Sequence, residues 1–141
     1  MIRITKKFTF DAAHRLLGYA GNCSNIHGHT YTVHVKVKSE RGKDKLDDLG
    51  MLVDFKALKD ILQTGVIDDL DHSLMLHGDD PLFPILAKEQ LKLFTCNGNP
   101  TAEYLAKLIF DRVFSLTRKL NIQPVNVVVF ETPTSYAEYC I

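Results

Sequence analysis

The chain has 141 residues, 45% of them hydrophobic and 24% charged, and its seventeen basic and seventeen acidic side chains cancel. This length favours a single domain over residues 1–141, and the balanced charge does not favour a nucleic-acid partner. No apolar run approaches the roughly 20 residues that cross a bilayer, and residues 1–10 lack the apolar core of a signal peptide. We therefore expect a cytoplasmic protein with no membrane partner.

Two strands are predicted in the first third of the chain, where apolar and polar residues alternate. The first runs from Ile2 to His14. The second covers residues 31–38, with valines on one face and His34 among the polar residues on the other. A polar turn region follows at 39–50, and the two strands are expected to pair in the antiparallel direction.

Two helices are predicted where the apolar period changes to 3.6 residues. Asp54 can cap the first helix and Gly65 suits its end, whereas Asn99 can cap the second, with Pro100 in its first turn. Residues 78–98 between them are irregular, with room for one short helix.

The end of the chain returns to strand patterns. Residues 125–130 and 135–141 alternate in the manner of strands and are joined by a turn. The order of elements is therefore strand, strand, helix, helix, strand, strand. This order predicts an α+β fold, a four-stranded antiparallel sheet with two helices on one face.

Three of the six histidines share the parity of the predicted apolar sheet face. His27 and His29 are two residues apart, so both imidazoles fall on one side, and His14 has the same relation to the first strand. Three imidazoles are typical of a catalytic zinc that keeps its fourth position open. Hydrogen-bonded histidines in a turn are the alternative. His34 has the opposite parity and is excluded as a ligand.

The three cysteines are too few and too widely spaced for a disulfide framework, so free thiols are expected. Cys23 lies in a loop rich in glycine and asparagine. A thiol beside a metal and imidazoles can have a lowered pKa and can carry protons. Cys140, in the last predicted strand, better fits a buried and inert thiol, and Cys96 is given no role.

Several short motifs together resemble one known family. They are FDAAHRL (10–16), CSNIHGH (23–29), GMLVDF (50–55), LDH (70–72), NPTAEYLA (99–106) and FETPTSYAEY (130–139). In this order they resemble the 6-pyruvoyl-tetrahydropterin synthase family, and most of all its bacterial 6-carboxy-5,6,7,8-tetrahydropterin synthase branch of queuosine biosynthesis. The resemblance implies a tunnelling fold whose sheets assemble into a barrel, in a homohexamer built from two trimers. It also implies zinc on His14, His27 and His29.

The same resemblance implies roles for further residues. Cys23 matches the general base, and Asp71 with His72 matches a proton-relay pair. Glu131 matches the residue that anchors the pterin, whose N–H fork a carboxylate can accept with both oxygens; from its position alone, Glu131 could equally be a frayed strand end. Glu103 matches a substrate contact, although an acid in the first turn of a helix is also favoured by the helix dipole.

The implied reaction converts 7,8-dihydroneopterin triphosphate to 6-carboxy-5,6,7,8-tetrahydropterin, with release of acetaldehyde and triphosphate. The three-residue gap between Cys23 and His27 fits this branch. A synthase of 6-pyruvoyltetrahydropterin and a non-catalytic zinc- or pterin-binding protein are the alternatives. A binding protein needs no proton relay, so the set of Cys23, Asp71 and His72 argues against the latter. Arg15 is a candidate for holding the triphosphate.

Overall fold

The structure is a computed structural model that describes residues 1–42 and 44–141. It has an α+β fold, as the order of elements predicted. The elements are β1 (Arg3–His14), β2 (His27–Ser39), α1 (Phe55–Leu62), α2 (Asp68–Leu70), β3 (Leu74–His77), α3 (Phe83–Leu86), β4 (Leu93–Cys96), α4 (Ala102–Thr117), β5 (Ile122–Thr132) and β6 (Ser135–Cys140). Among the described residues, none of the helices has the length and apolar character needed to cross a membrane.

The sheet has six strands in the order β4-β3-β1-β2-β5-β6, so the prediction of four strands was wrong. The predicted antiparallel pair is confirmed as β1 and β2, and β5 and β6 continue the antiparallel part. The two additional strands, β3 and β4, run parallel to β1. Each has four residues and so places only two side chains on either face, too few for an alternation that the sequence could reveal.

Helices α1 and α4 cover one face of the sheet, and the hydrophobic core lies between these helices and the sheet. The buried side chains on the strands include Tyr31, Val33, Val35, Val127 and Val129, and those on the helices include Leu58, Leu62, Leu105, Ile109 and Val113. Each such side chain contributes about 1.5–3 kcal/mol when it is fully removed from water. The opposite sheet face carries the polar residues of β2, as the alternation predicted.

Of the three predicted helix boundaries, the Asp54 cap is confirmed, because its side chain accepts a hydrogen bond from Lys56 N–H at 2.7 Å, and the other two need correction. Gly65 does not end the first helix, because α1 continues through a π-helical segment, Gln63–Ile67, into α2. Gly65 instead allows α4 to pack closely against this segment, because a Cβ at Gly65 would lie 2.5 Å from Leu116 Cδ1 of α4. The N-cap of α4 is Thr101, which accepts a hydrogen bond from Tyr104 N–H at 3.2 Å, and not Asn99.

Two of the cysteines also differ from expectation. Cys140 is exposed, because Ala137 and Tyr139 take the inward positions of the edge strand β6 and Cys140 falls on the other parity. The buried thiol belongs to Cys96 of β4, and burial raises its pKa to about 11. Cys96 is therefore the inert cysteine of this chain.

Candidate active site

The pairing of β1 with β2 brings three imidazoles to one point. His14 lies opposite His27, and His29 lies opposite Ala12, two residues before His14. All three histidines point to the same side of the sheet, and one nitrogen from each lies within 4.8 Å of the other two. The ring centroids form a nearly equilateral triangle with sides of 4.6, 5.0 and 5.1 Å. His27 and His29 lie within the second strand, β2, whereas the sequence pattern placed them ahead of it.

Backbone carbonyls fix the tautomers of two of these rings. His14 Nδ1 lies 2.7 Å from the Pro100 carbonyl oxygen, and His27 Nδ1 lies 2.8 Å from that of Asn25. A carbonyl can only accept, so each Nδ1 carries the proton and donates. The Nε2 atoms are then left with their lone pairs, and these two atoms lie 3.1 Å apart. Two lone pairs at this separation repel each other unless a proton or a cation lies between them.

The third imidazole has an unused nitrogen. His29 Nε2 is buried and, within the described part of the chain, makes no hydrogen bond. A buried polar atom without a partner costs free energy, so its position requires a partner that binds there. The Glu131 Oε1 atom lies 3.4 Å away, but the Glu131 carboxylate is outside the group of mutually close ligand atoms.

These features fit a metal ion bound by three histidines. Two imidazole nitrogens on one tetrahedral zinc lie about 3.3 Å apart, because each Zn–N bond is about 2.0–2.1 Å long. The observed 3.1 Å between the Nε2 atoms of His14 and His27 is close to that separation. The carbonyl partners of Nδ1 are the outer hydrogen bonds that metal-bound histidines ordinarily make. The group contains His14, His27 and His29 and leaves out the Cys23 thiol, so a fourth position stays open.

Burial favours the neutral form of one histidine in this cluster. Burial lowers the pKa of His14 from its ordinary value, which favours the uncharged imidazole that a metal requires. Burial also raises the pKa of Tyr31, whose hydroxyl lies 3.3 Å from His14 Nδ1. Tyr31 is a fully buried core residue that the sequence analysis did not single out. Its place two residues after His29, on the same face, was the signal that it adjoins the site.

Asp71 and His72 are in contact with each other through their side chains. Asp71 Oδ2 lies 3.0 Å from His72 Nδ1, and Asp71 Oδ1 accepts a hydrogen bond from Asp11 N–H at 2.9 Å. The Asp11 N–H, followed by the His72 ring, holds the pKa of Asp71 below its usual value. His72 N–H in turn donates to the Asp11 carbonyl at 2.6 Å. Asp11, which the sequence did not single out, therefore holds the pair from both sides.

Two adjoining cavities connect these groups. A cavity of about 490 Å³ is lined by His29 and Thr30 of β2, Asp11 of β1, and His72 and Ser73. The second cavity, of about 500 Å³, shares His29 and Thr30 with the first, and its wall also includes His34, Phe130, Glu131 and Pro133. His29 thus lies between a cavity that contains the His72 side chain and one that contains the Glu131 carboxylate.

Cys23 lies in the loop that joins two of the histidine-bearing strands. It is half-buried in a short 3-10 turn, Asn22–Ser24, and its carbonyl accepts a hydrogen bond from Leu16 N–H at 2.8 Å. The loop is also held from α4's side, because the Asn99 amide exchanges two hydrogen bonds with the Leu17 backbone, at 2.7 and 3.0 Å. Asn99, predicted as a helix cap, acts instead as an anchor for the loop that carries Cys23.

Glu103 and Arg15, the other two candidates, are outside the group of three histidines. Glu103 is exposed in the first turn of α4 and lines a separate cavity of about 500 Å³ with Tyr104 and Lys107. Arg15 makes a two-point ion pair with Asp80, through Nε at 2.7 Å and Nη2 at 2.6 Å. The Asp80 side chain is fully buried, so the Arg15 guanidinium is already paired within the protein. This ion pair connects the segment after β3 to the end of β1.

The sequence as a whole matches known proteins along its length. The profile of a family described as 6-pyruvoyl tetrahydropterin synthase matches residues 3–140. The 6-carboxy-5,6,7,8-tetrahydropterin synthase of Haemophilus influenzae is 34% identical over 143 residues, which cover 99% of each chain. The enzyme of the same name from Bacillus subtilis is 37% identical over 139 residues, 96% of this chain and 83% of its own.

Solved structures share the fold. The 6-pyruvoyl tetrahydropterin synthase of Caenorhabditis elegans superposes with a TM-score of 0.69 at 26% identity, and 99% of this chain and 95% of that one are covered. An uncharacterized protein of Wolinella succinogenes gives a TM-score of 0.81 at 24% identity, covering 99% and 97%. This second likeness concerns the fold alone.

The three-histidine cluster predicts the metal content of single variants. We expect the purified protein to hold about one transition-metal ion per chain, and His27→Ala to lose most of it, because two imidazoles bind far more weakly than three. His34→Ala is the matched control, since His34 lies on the opposite face of β2 beside Phe130. Metal content is measured by plasma mass spectrometry after dialysis. Equal metal in wild type and His27→Ala would contradict the ligand assignment.

Proposed function

The chain belongs to the 6-pyruvoyl tetrahydropterin synthase family, and we propose that it is a lyase that converts 7,8-dihydroneopterin triphosphate to 6-carboxy-5,6,7,8-tetrahydropterin. Acetaldehyde and triphosphate leave in this reaction. One observation carries the proposal: a chain that matches the carboxy-branch enzymes over 98% of its length brings three imidazoles together beside a carboxylate. The product belongs to queuosine biosynthesis.

We propose that His14, His27 and His29 hold zinc. The donor set supports this, because three imidazole nitrogens with an open fourth position are typical of catalytic zinc. Bound there, zinc would act as a Lewis acid that makes the hydroxyl and adjacent C–H groups of the substrate side chain more acidic. The Pro100 and Asn25 carbonyls keep Nε2 of His14 and His27 free for this purpose.

The remaining residues act on protons and on the pterin ring. Cys23 would remove a proton from the side chain of the substrate, and His72 would return or relay one, with Asp71 stabilising the charged imidazole. Glu131 would accept the N–H fork of the pterin in the cavity that it shares with His29. Glu103 is proposed as a further substrate contact.

The proposed assembly is a homohexamer of two stacked trimers. In a single chain, β4 and β6 are edge strands whose outer backbone groups are available for pairing. On the polar sheet face, Phe130 stacks against both His34 and Tyr136, with centroids 5.1 and 4.8 Å apart, and Tyr136 is 61% exposed. An aromatic cluster on an open sheet face is suited to being covered by neighbouring subunits.

Assembly predicts the mass of the particle in solution. We expect sedimentation at micromolar concentration to give about six chains, because edge pairing and the aromatic cluster on the sheet face both favour association. A Tyr136→Ser variant should weaken this association, whereas Phe55→Ser, which removes another exposed aromatic ring (52% against 61% for Tyr136) from the start of α1, should not. A wild-type monomer would contradict the proposed barrel.

Product analysis tests the reaction and the role of the thiol together. Incubation of the zinc-loaded protein with 7,8-dihydroneopterin triphosphate should yield 6-carboxy-5,6,7,8-tetrahydropterin by mass spectrometry. Cys23→Ala should keep its zinc and lower turnover about 100-fold or more, because the thiol carries protons and does not ligate. Cys140→Ala, which removes an exposed thiol, is the control. A 6-pyruvoyl product would indicate the other branch, and zinc lost together with the Cys23 thiol would indicate a fourth ligand.

The pterin anchor is tested by binding. Glu131→Gln keeps the size of the side chain and puts a donor where the pterin also offers donors. We expect this loss of a charge-assisted pair to cost about 2–4 kcal/mol, or roughly 30- to 1,000-fold in kcat/KM. Zinc content should hardly change, because Glu131 lies outside the ligand group. Calorimetry with a pterin product measures the affinity, with the exposed Glu89→Gln as control. Equal affinity of Glu131→Gln and wild type would remove the assignment.

A further inference from the structure

One side chain of the irregular segment between β3 and β4 contacts the backbone of the Asp71–His72 pair. Lys92 lies directly before β4, and its carbonyl accepts a hydrogen bond from Leu74 N–H at 2.9 Å. Its ammonium reaches back across the end of α2, where Nζ donates to the carbonyl oxygens of Asp68 and, at 2.6 Å, of Asp71. Lys92 is thus fixed at both ends, by the sheet through its backbone and by two carbonyls through its side chain.

The turn that Lys92 contacts has an unfavourable backbone conformation. His72 has a φ of 58°, in the left-handed region that residues other than glycine rarely adopt. The last carbonyls of a helix also lack intrahelical partners, and a cation near a helix C-terminus can supply hydrogen bonds to them. The Lys92 ammonium donates hydrogen bonds to these carbonyls. The same hydrogen bonds hold the turn in which the backbone of His72 is strained.

The orientation of the His72 ring depends on that turn. The ring is 78% exposed and therefore has little packing to hold it. The His72 ring contacts the carboxylate of Asp71, and Lys92 binds the backbone carbonyl of the same Asp71. Any rotation of the peptide after Asp71 would move the carboxylate and the imidazole relative to each other and relative to His29 across the shared cavity.

We propose that Lys92 is a positioning residue that holds Asp71 and His72 in the geometry required for proton transfer. The proposal rests on the proposed function, in which this pair relays a proton. Lys92 acts through the backbone and has no contact of its own with the reacting atoms. The proposal also assigns a function to the segment 78–98, because this segment places Lys92 next to the Asp71–His72 pair.

Steady-state kinetics of Lys92→Met test the proposal. We expect kcat to fall about 10-fold, because charge-assisted hydrogen bonds that hold the relay are lost, and KM to stay unchanged, because substrate contacts are not touched. Lys92→Arg keeps the charge and the donors and should restore most of kcat. Lys88→Met removes a lysine from the same segment at an exposed position and is the matched control. Lys92→Gln replaces Lys92→Met if the latter does not fold.

A second variant pair separates positioning from a general loss of stability. Added to His72→Gln, Lys92→Met should lower kcat no further, because its effect passes through the imidazole that is already missing. A purely structural effect would lower kcat by the same factor in both backgrounds. An unchanged kcat in Lys92→Met, a change in KM alone, or equal factors in the two backgrounds would each overturn the proposal.

Amide hydrogen exchange gives a readout that does not need turnover. The His72 N–H donates to the Asp11 carbonyl, so it should exchange faster in Lys92→Met than in wild type, Lys92→Arg or Lys88→Met. If wild type forms no 6-carboxytetrahydropterin, the proposed function fails while the exchange data still decide whether Lys92 holds the turn. Equal exchange of this amide in wild type and Lys92→Met would overturn the proposal whatever the reaction.

Discussion

The register of β1 against β2 is the constraint on which the site depends. His14 can meet His27 and His29 only because it lies directly opposite His27 in an uninterrupted antiparallel ladder from Arg3 to His14. A slip of one residue would turn every side chain of one strand to the other face and separate the imidazoles. The buried valines of β2 resist such a slip, because it would bring them to the polar face and out of the core. The hydrophobic core therefore fixes the arrangement of the three imidazoles.

Hydrogen-bond partners outside the two strands complete the site that the register begins. The carbonyls of Asn25 and Pro100 select the tautomers of two histidines, and the Asn99 side chain holds the backbone beyond β1. The contacts of Pro100 and Asn99 require that the start of α4 lie against the end of β1. The packing of α4 on the sheet is thus as important to the imidazoles as the strands that carry them.

Sequence reasoning succeeded where a period or a spacing carried the information. The convergence of His14, His27 and His29 follows from parity, and parity is visible in two long alternating strands. The contact of Asp71 with His72 follows from their adjacency and from the family motif. The carbonyl of Pro100, the backbone of Asp11 and the ammonium of Lys92 left no comparable signal. Their roles depend on which segments meet in the fold, and the two four-residue strands that make them meet are too short to show a period.

The two parallel strands explain why the site is open on two sides. Because β3 pairs with β1 through Ala13 and Leu74, His72 lies beside Asp11 on one flank of β1. His29 lies opposite Ala12 on the other flank, two strand spacings or about 10 Å away. The cavity between them therefore extends across β1, with His29 of the three-imidazole cluster on one side and His72 on the other. A purely antiparallel four-stranded sheet, with β1 at its edge, would still bring the three imidazoles of β1 and β2 together, but it would have no strand on the other flank of β1 to place an imidazole there.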